Sequence, residues 1–306
     1  MVRADPAAEA SVRGVVVTPA NVVGRIVGRC PGMRRGHRSC PTLRLMTEEI
    51  PATPPLPAGA GPWVVLPTYD EAENLEAIAG AILAALPETT LLVVDDASPD
   101  GTGRLADELA ARDARIRVLH RAGKQGLGRA YLDGFGVALD GGATVLVQMD
   151  ADWSHDPGVL PALVGPILDG TADLVIGSRY TRGGGVVDWG IARRLVSRGG
   201  SVFAKVVLGL RPNDLTGGFK AWRASTLAGI PFDGVHAGGY VFQIEMTYRA
   251  SRAGARVTEV PITFRDRRLG QSKMSRRIIV EALIVVLQLR WDELRRRSRR
   301  PGATRT

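Results

Sequence analysis

Apolar and polar positions fall into a regular alternation from residue 63. WVVLPTY (63–69) is an apolar run closing on polar residues, the pattern of a buried strand. Leu75, Ile78, Ala79, Ile82, Leu83 and Leu86 then recur at helical spacing. LLVVDDAS (91–98) predicts a second strand, and Pro99 and Asp100 open a helix over 101–112. RIRVLHR (115–121) predicts a third strand and GLGRAYLDGFGVAL (126–139) a third helix. VLVQMDAD (145–152) and DLVIGSRY (173–180) read as the fourth and fifth strands, with a helix between them. Strands alternating with helices predict an α/β fold, three layers around a mostly parallel central sheet. Further on, the pattern predicts an amphipathic helix over 189–209, a short element after Phe219 and a helix over 240–253. A strand, ARVTEVPITF (255–264), precedes a last helix over about 275–297 that starts apolar and runs into RRRSRR.

In open α/β sheets, ligands gather outside the carboxyl ends of the strands. Here those ends carry Pro67-Thr68-Tyr69-Asp70-Glu71, Asp95-Asp96-Ala97-Ser98, Asp150-Ala151-Asp152 and Ser178-Arg179. Four polar strand ends on one rim point to a site rather than to solvated loops.

Residues 1–62 break the rhythm. They lack a clear period and carry Pro51, Pro54, Pro55, Pro57 and Pro62, so 1–46 reads as mostly disordered and 47–62 as a linker. Met46, just ahead of the linker, is a candidate translation start. The expected organisation is a basic extension over 1–62, a catalytic domain over 63–275 and a helix with a basic tail over 276–306.

Charge changes the picture at the ends only. Of the net +9, residues 1–45 hold eight Arg against Asp5 and Glu9, and 290–306 hold seven Arg against Asp292 and Glu293. The middle is slightly acidic. A basic tail fits an anionic surface such as phospholipid, or is simply solvated. Nucleic acid is not expected as a partner, because the charge lies in the tails without interleaved aromatics. The longest apolar run, 278–289, is interrupted by Glu281 and falls short of a membrane span, and no signal peptide is evident. The two cysteines, Cys30 and Cys40, match no common zinc spacing and form no disulfide framework.

Asp150 and Asp152 form a D-x-D at a strand end. Two close carboxylates raise each other's pKa unless a cation lies between them, and Mg²⁺ or Mn²⁺ prefers such oxygens together with substrate phosphates. A carboxylate of Asp95-Asp96, at the end of the second strand, is placed to accept from a ribose or base edge, although Ser98 and Asp100 are also ordinary caps. Neither G-x-G-x-x-G after the first strand nor a P-loop is present. Lys124-Gln125-Gly126-Leu127-Gly128 is a nucleotide- or sugar-adjacent loop or a plain turn. Arg265, Arg267, Arg268 and Lys273 form a cationic loop able to close over phosphates, or a solvated one.

PTYDE (67–71), VVDDASPDGT (93–102), KQGLGRAY (124–131), MDADWSHDP (149–157), GSRY (177–180), SRGG (197–200), LTGGFKAWR (215–223), GYVFQIEM (239–246) and RRLGQSKMS (267–275) occur in that order. As a set they resemble family 2 glycosyltransferases of the GT-A fold, and most closely the polyprenol-phosphate (dolichol-phosphate) mannose synthases. The resemblance covers about residues 62–275. It implies inverting transfer of mannose from GDP-mannose to a polyprenyl phosphate. Pro67, Tyr69, Glu71 and Asp96 would hold the guanosine part. Ala151 and Asp152 would lie on the diphosphate, with Asp152 the principal metal ligand, Asp150 beside it, and Ser154 where some relatives have a ligating Gln. Arg179, Arg267 and Lys273 would contact phosphates of donor or acceptor. Longer relatives append transmembrane helices. This chain would instead reach the inner face of the cell membrane from the cytoplasm, as a peripheral protein, through its last helix or an integral-membrane partner protein. A UDP-glucose:polyprenyl-phosphate glucosyltransferase and an idle nucleotide-binding fold are the competing readings.

Overall fold

The computed structural model describes residues 60–236, 239–265 and 276–298. Strands β1 (Gly61–Thr68), β2 (Thr90–Asp95), β3 (Ile116–His120), β4 (Ala143–Gln148) and β5 (Leu174–Ser178) form a sheet with β7 (Lys220–Arg223) and β8 (Val257–Pro261). Its order is β3-β2-β1-β4-β7-β5-β8, parallel except for β7, which runs against both β4 and β5. A small second sheet pairs β6 (Gly185–Val187) with β9 (Thr263–Arg265).

Alternation along each strand divides the core. Val64 and Leu66 of β1, with Leu91 and Val93 of β2, face helices α1 (Ala72–Ala85), α2 (Thr102–Arg112) and α4 (Leu160–Leu168), where Leu75, Ile78, Ile82, Leu163 and Ile167 complete one layer. Trp63, Val65, Leu92 and Val94 face the other way. They meet Tyr131 and Phe135 of α3 (Leu127–Asp140), Leu227 of α6 (Ala224–Ala228), and Phe242 and Met246 of α7 (Gly239–Arg252). Each fully buried side chain of this size contributes about 1.5–3 kcal/mol relative to exposure. A third cluster joins α7 to α5 (Ile191–Leu208) and α8 (Arg276–Ser298) through Leu208, Leu215, Ile244, Tyr248 and Val286.

The expected linker ends earlier than its sequence suggests. Gly61 and Pro62 are buried in β1, and the pairing with β4 slips between them, which accommodates a proline in an inner strand. The rest of the expected extension, residues 1–59, lies outside the described residues, as do the tail from 299 and the loop 266–275 with Arg267, Arg268 and Lys273. The predicted strand over 255–264 is two strands in different sheets. Between them Ile262 turns into the core, its N–H bonded to Ser178 O and its carbonyl to Gly185 N–H.

Helices α5 and α8 pack against each other and leave apolar residues outside. On α5, Ile191, Leu195 and Val206 are 78%, 67% and 74% exposed, on the side opposite buried Ser197, Ser201, Ala204 and Leu208. On α8, Val285 and Val286 are buried, while Val280, Leu283, Ile284, Leu287, Trp291 and Leu294 are exposed. The last helix thus both packs on the domain and presents an apolar face. No helix among the described residues is long and apolar enough to cross a membrane.

Candidate active site

The sheet order reverses between β1 and β4, which leaves a crevice at their carboxyl ends. The backbone there is strained. Asp70, Ala97 and Trp153 follow β1, β2 and β4 at φ of 59°, 56° and 61°, a region that costs non-glycine residues about 1 kcal/mol or more each. These turns aim the strand-end side chains.

After β1, Pro67 and Tyr69 are half-buried, and Lys124 Nζ sits 3.2 Å above the Tyr69 ring, bringing the 124–128 loop to this rim. The Glu71 N–H donates to Thr102 Oγ1 (3.0 Å), and Asn74 Nδ2 donates to Glu71 Oε2 (2.8 Å). After β2 the paired aspartates separate in role. Asp95 accepts from Ser98 Oγ at 2.5 Å and from Ser98 N at 3.2 Å and so builds the turn. Asp96 is buried against the Arg121 guanidinium, which also donates to Asp133 Oδ2 (2.8 Å) and Gln125 Oε1 (3.3 Å). Arg121 closes a predicted strand and gives no sign in the sequence of pairing with Asp96.

After β4, Asp150 and Asp152 have different partners. Asp150 Oδ1 accepts the Tyr131 hydroxyl at 2.9 Å. Burial first, then the Asp150 charge, push the Tyr131 phenol well above its usual range, so it donates here at all working pH values. Asp152 Oδ1 accepts from Ser154 Oγ (2.5 Å) and Ser154 N (3.0 Å). Ala151 is buried between them. The Ser154 hydroxyl, a candidate metal ligand by position, points at Asp152 and orients that carboxylate. Among the described residues no group of three or more His, Cys, Asp or Glu is gathered for a metal. A divalent ion would therefore take Asp150 and Asp152 as its hard oxygen donors and find the rest in substrate and water, which suits Mg²⁺ or Mn²⁺.

His155 lies behind them, stacked on Phe219 at 4.7 Å and edge-on to Phe264 at 5.5 Å. Its Nδ1 accepts from the Asp150 N–H at 3.3 Å. Burial lowers its pKa against the opposing pull of Asp150 and Asp152, so the ring is neutral and its lone pair is engaged.

Arg179, expected to contact phosphates, is held by Asp214 and Thr216. Its N–H and Nε donate to Asp214 Oδ2 (2.9 and 2.7 Å), and its Nη2 donates to Asp214 Oδ1 (2.7 Å) and Thr216 Oγ1 (2.8 Å). Burial would raise the Asp214 pKa, but the Arg179 charge and hydrogen bonds outweigh it and the net shift is downward. Both side chains are buried, so in this structure the guanidinium is a strut under the 214–219 turn. The carboxylates Asp150, Asp152 and Asp214 favour a proton on His155, whereas Arg179 joins burial in opposing it. Arg265 N–H donates to Ser154 O at 3.3 Å, so the cationic loop begins against the D-x-D turn.

The family described as Glycosyl transferase family 2 matches residues 63–229. The chain is 49% identical over 237 residues to the undecaprenyl-phosphate mannosyltransferase of Micrococcus luteus, covering 76% of this chain and 97% of that one. It is 47% identical over 243 residues to the polyprenol monophosphomannose synthase of Mycolicibacterium smegmatis, covering 79% and 91%. The glucosyl-3-phosphoglycerate synthase of Mycobacterium tuberculosis, solved with Mn²⁺, UDP and glucosyl-3-phosphoglycerate, shares the fold at TM-score 0.55 and 23% identity, over 76% of this chain and 80% of that one. With its rim of strand-end carboxylates on a mostly parallel GT-A sheet, the chain is a glycosyltransferase and belongs to glycosyl transferase family 2.

Proposed function

We propose that the protein transfers mannose from GDP-mannose to a polyprenyl phosphate with inversion at the anomeric carbon. The observation that carries this reading is the state of His155. The histidine beside the carboxylates spends its Nδ1 lone pair on the Asp150 N–H, and burial lowers its basicity, so it is a poor base for an alcohol acceptor. A phosphate monoester, with a second pKa near about 6, arrives already ionised and needs no base. The names of the two mannosyltransferase relatives support the same acceptor class and the sugar.

In this reading Pro67, Tyr69, Glu71 and Asp96 receive the nucleoside, with Asp96 held by Arg121. The acceptor oxyanion forms the new bond to the anomeric carbon as the bond to the diphosphate breaks, through an oxocarbenium-like transition state. Asp152, oriented by Ser154, and Asp150, oriented by Tyr131, would hold a divalent ion, and the glucosyl-3-phosphoglycerate synthase of the same fold was solved with Mn²⁺ and with Mg²⁺. Such an ion neutralises charge on the departing diphosphate. Arg267 and Lys273 follow Arg265 in the chain and supply further cations. Arg179 acts as a positioning residue through Asp214. The lipid acceptor stays in the bilayer, and the apolar faces of α5 and α8, flanked on α5 by exposed Arg194 and Arg198, seat the protein on the inner face of the cell membrane.

A transfer assay with purified protein, polyprenyl phosphate, Mg²⁺ and GDP-[¹⁴C]mannose or UDP-[¹⁴C]glucose tests this. The expected result is label in the organic phase from GDP-mannose, abolished by EDTA. Asp152→Ala lowers the rate by at least about a hundredfold, the scale of losing one preorganised electrostatic contact. Label from UDP-glucose alone overturns the donor. No label from either, with an integral-membrane partner supplied, overturns the reaction.

A further inference from the structure

Gln243, near the start of α7, is a buried amide without hydrogen bonds. It is 3% exposed, yet neither Oε1 nor Nε2 meets a partner among the described residues. Proteins rarely leave a buried amide in this state without a use for it.

The amide is held firmly. The Gln243 carbonyl accepts from Lys220 Nζ (2.8 Å) and Thr247 Oγ1 (2.9 Å), which ties this turn of α7 to β7. The neighbouring Phe242 ring stacks on Tyr131 with centroids 6.0 Å apart and planes 1° from parallel. Tyr131 is the residue whose hydroxyl holds Asp150. One chain of contacts thus fixes the amide relative to the catalytic carboxylate.

Gly218 lies between the two. A β-carbon built on it would stand 3.5 Å from Gln243 Nε2, 3.8 Å from Asp150 Oδ2 and 3.9 Å from His155 Cε1. With no side chain on Gly218, an amide, a carboxylate and the edge of an imidazole come close around one point. A phosphate there would face the Asp150 charge. An apolar group would leave the amide unsatisfied. A hydroxyl projecting from a neutral ring suits both groups, because it donates to Asp150 or Oε1 and accepts from Nε2.

We infer that Gln243, across Gly218 from Asp150, binds hydroxyls of the transferred hexose and is a specificity-determining residue for that sugar. The inference rests on the proposed reaction in taking the hexose from a nucleotide donor. An amide gains or loses no proton at working pH, so the contact adds no competing base beside the anomeric carbon.

The test is calorimetry on the full chain with Mn²⁺, using GDP, GDP-mannose, UDP and UDP-glucose as probes. It compares the wild type with Gln243→Leu, which keeps volume, and with Gly218→Ala, which fills the space at ordinary contact distance. The readout is the sugar increment, the affinity for a nucleotide sugar relative to its nucleoside diphosphate. Both variants are expected to cut it by about tenfold or more, the effect of stranding a buried hydrogen-bonding group. Affinity for the diphosphate and the melting temperature should hold. In the transfer assay, the preference of Gln243→Leu for GDP-mannose over GDP-glucose should fall in step. An unchanged increment in both variants, an equal loss for diphosphate and nucleotide sugar, or no increment in the wild type overturns the inference. An increment seen only with UDP-glucose overturns the GDP-mannose donor, and Gln243 is then judged on the UDP-glucose increment.

Discussion

Lys220 illustrates what burial does to a single residue. Its ammonium is fully enclosed, donating to Gln243 O and Thr247 Oγ1 at 2.8 Å each, and desolvation pulls its pKa from 10.5 to about 7 despite the attraction of Asp214. Below pH 7 the lysine is protonated in the folded and unfolded chain alike, and the cost of burying the charge is present in full. Between 7 and 10.5 the unfolded chain keeps a proton that the folded chain has released, so this group makes stability rise with pH. Urea denaturation at pH 7 and pH 9 should show that rise in the wild type and a flatter profile in Lys220→Met. Identical slopes would mean the lysine stays charged. Residues of the site differ in how far they could be read in advance. Asp150, Asp152 and Ser154 stand out because they interrupt an apolar run. Tyr131, Arg121 and Asp214 do not, because each meets its partner 19 to 35 residues away, and Gln243 comes near Asp150 only through Gly218, so each looks like an ordinary member of its own helix, strand or loop.

Among the elements, α3 is placed by what it lacks. A β-carbon on Gly134 would stand 2.5 Å from Val65 Cγ1 and 3.0 Å from Val94 Cγ2, so the glycine lets the helix lie directly on β1 and β2. Valine has little rotamer freedom to yield. Gly134→Ala should therefore destabilise by about 1–3 kcal/mol through overpacking, outweighing the gain in helix propensity. Chemical denaturation measures it, and a neutral or positive change would show that α3 can lift. Tyr131 sits on the same helix, so transfer activity should drop with the displacement. The first five strands and their helices were legible because period and turn residues agree there. The antiparallel β7 was not, because KAWR is only four residues long and its neighbours β4 and β5 are distant in sequence. The break at Ile262 was hidden for a related reason. An alternating strand looks the same whether or not its end changes sheets.

At the scale of the whole molecule, the proposed seat on a membrane rests on the faces of α5 and α8. Their exposed Ile191, Leu195, Val206, Leu287 and Trp291 are costly in water, and the flanking arginines favour an anionic interface. Flotation with vesicles containing anionic phospholipid should recover the wild type at low salt. Leu195→Glu combined with Leu287→Glu should reduce recovery at least about tenfold, given the loss of apolar area and added repulsion. Transfer to a short-chain, water-soluble acceptor phosphate should be retained. Unchanged flotation would assign these faces to something other than lipid. The sequence marked α8 through its arginines but gave no warning that α5 turns an equally apolar side outward. Its buried stripe is lined by Ser197, Ser201 and Ala204, an inversion of the usual polarity of a packed helix.

The sheet order also bears on how the chain is made. A ribosome delivers β5 well before either of its neighbours, since β7 begins at Lys220 and β8 at Val257. Strands β1 to β4 can pair as they emerge, but β5 must wait with both edges open until more than forty further residues have been synthesised. During that interval the nascent chain carries LVIGS, buried throughout in the finished sheet, as an unpaired edge between Asp173 and Arg179, the kind of segment that aggregates or recruits a chaperone. The turn bearing Gly218 comes just before β7, which covers the first of these edges, and the second stays open until β8 has been made, after Gln243.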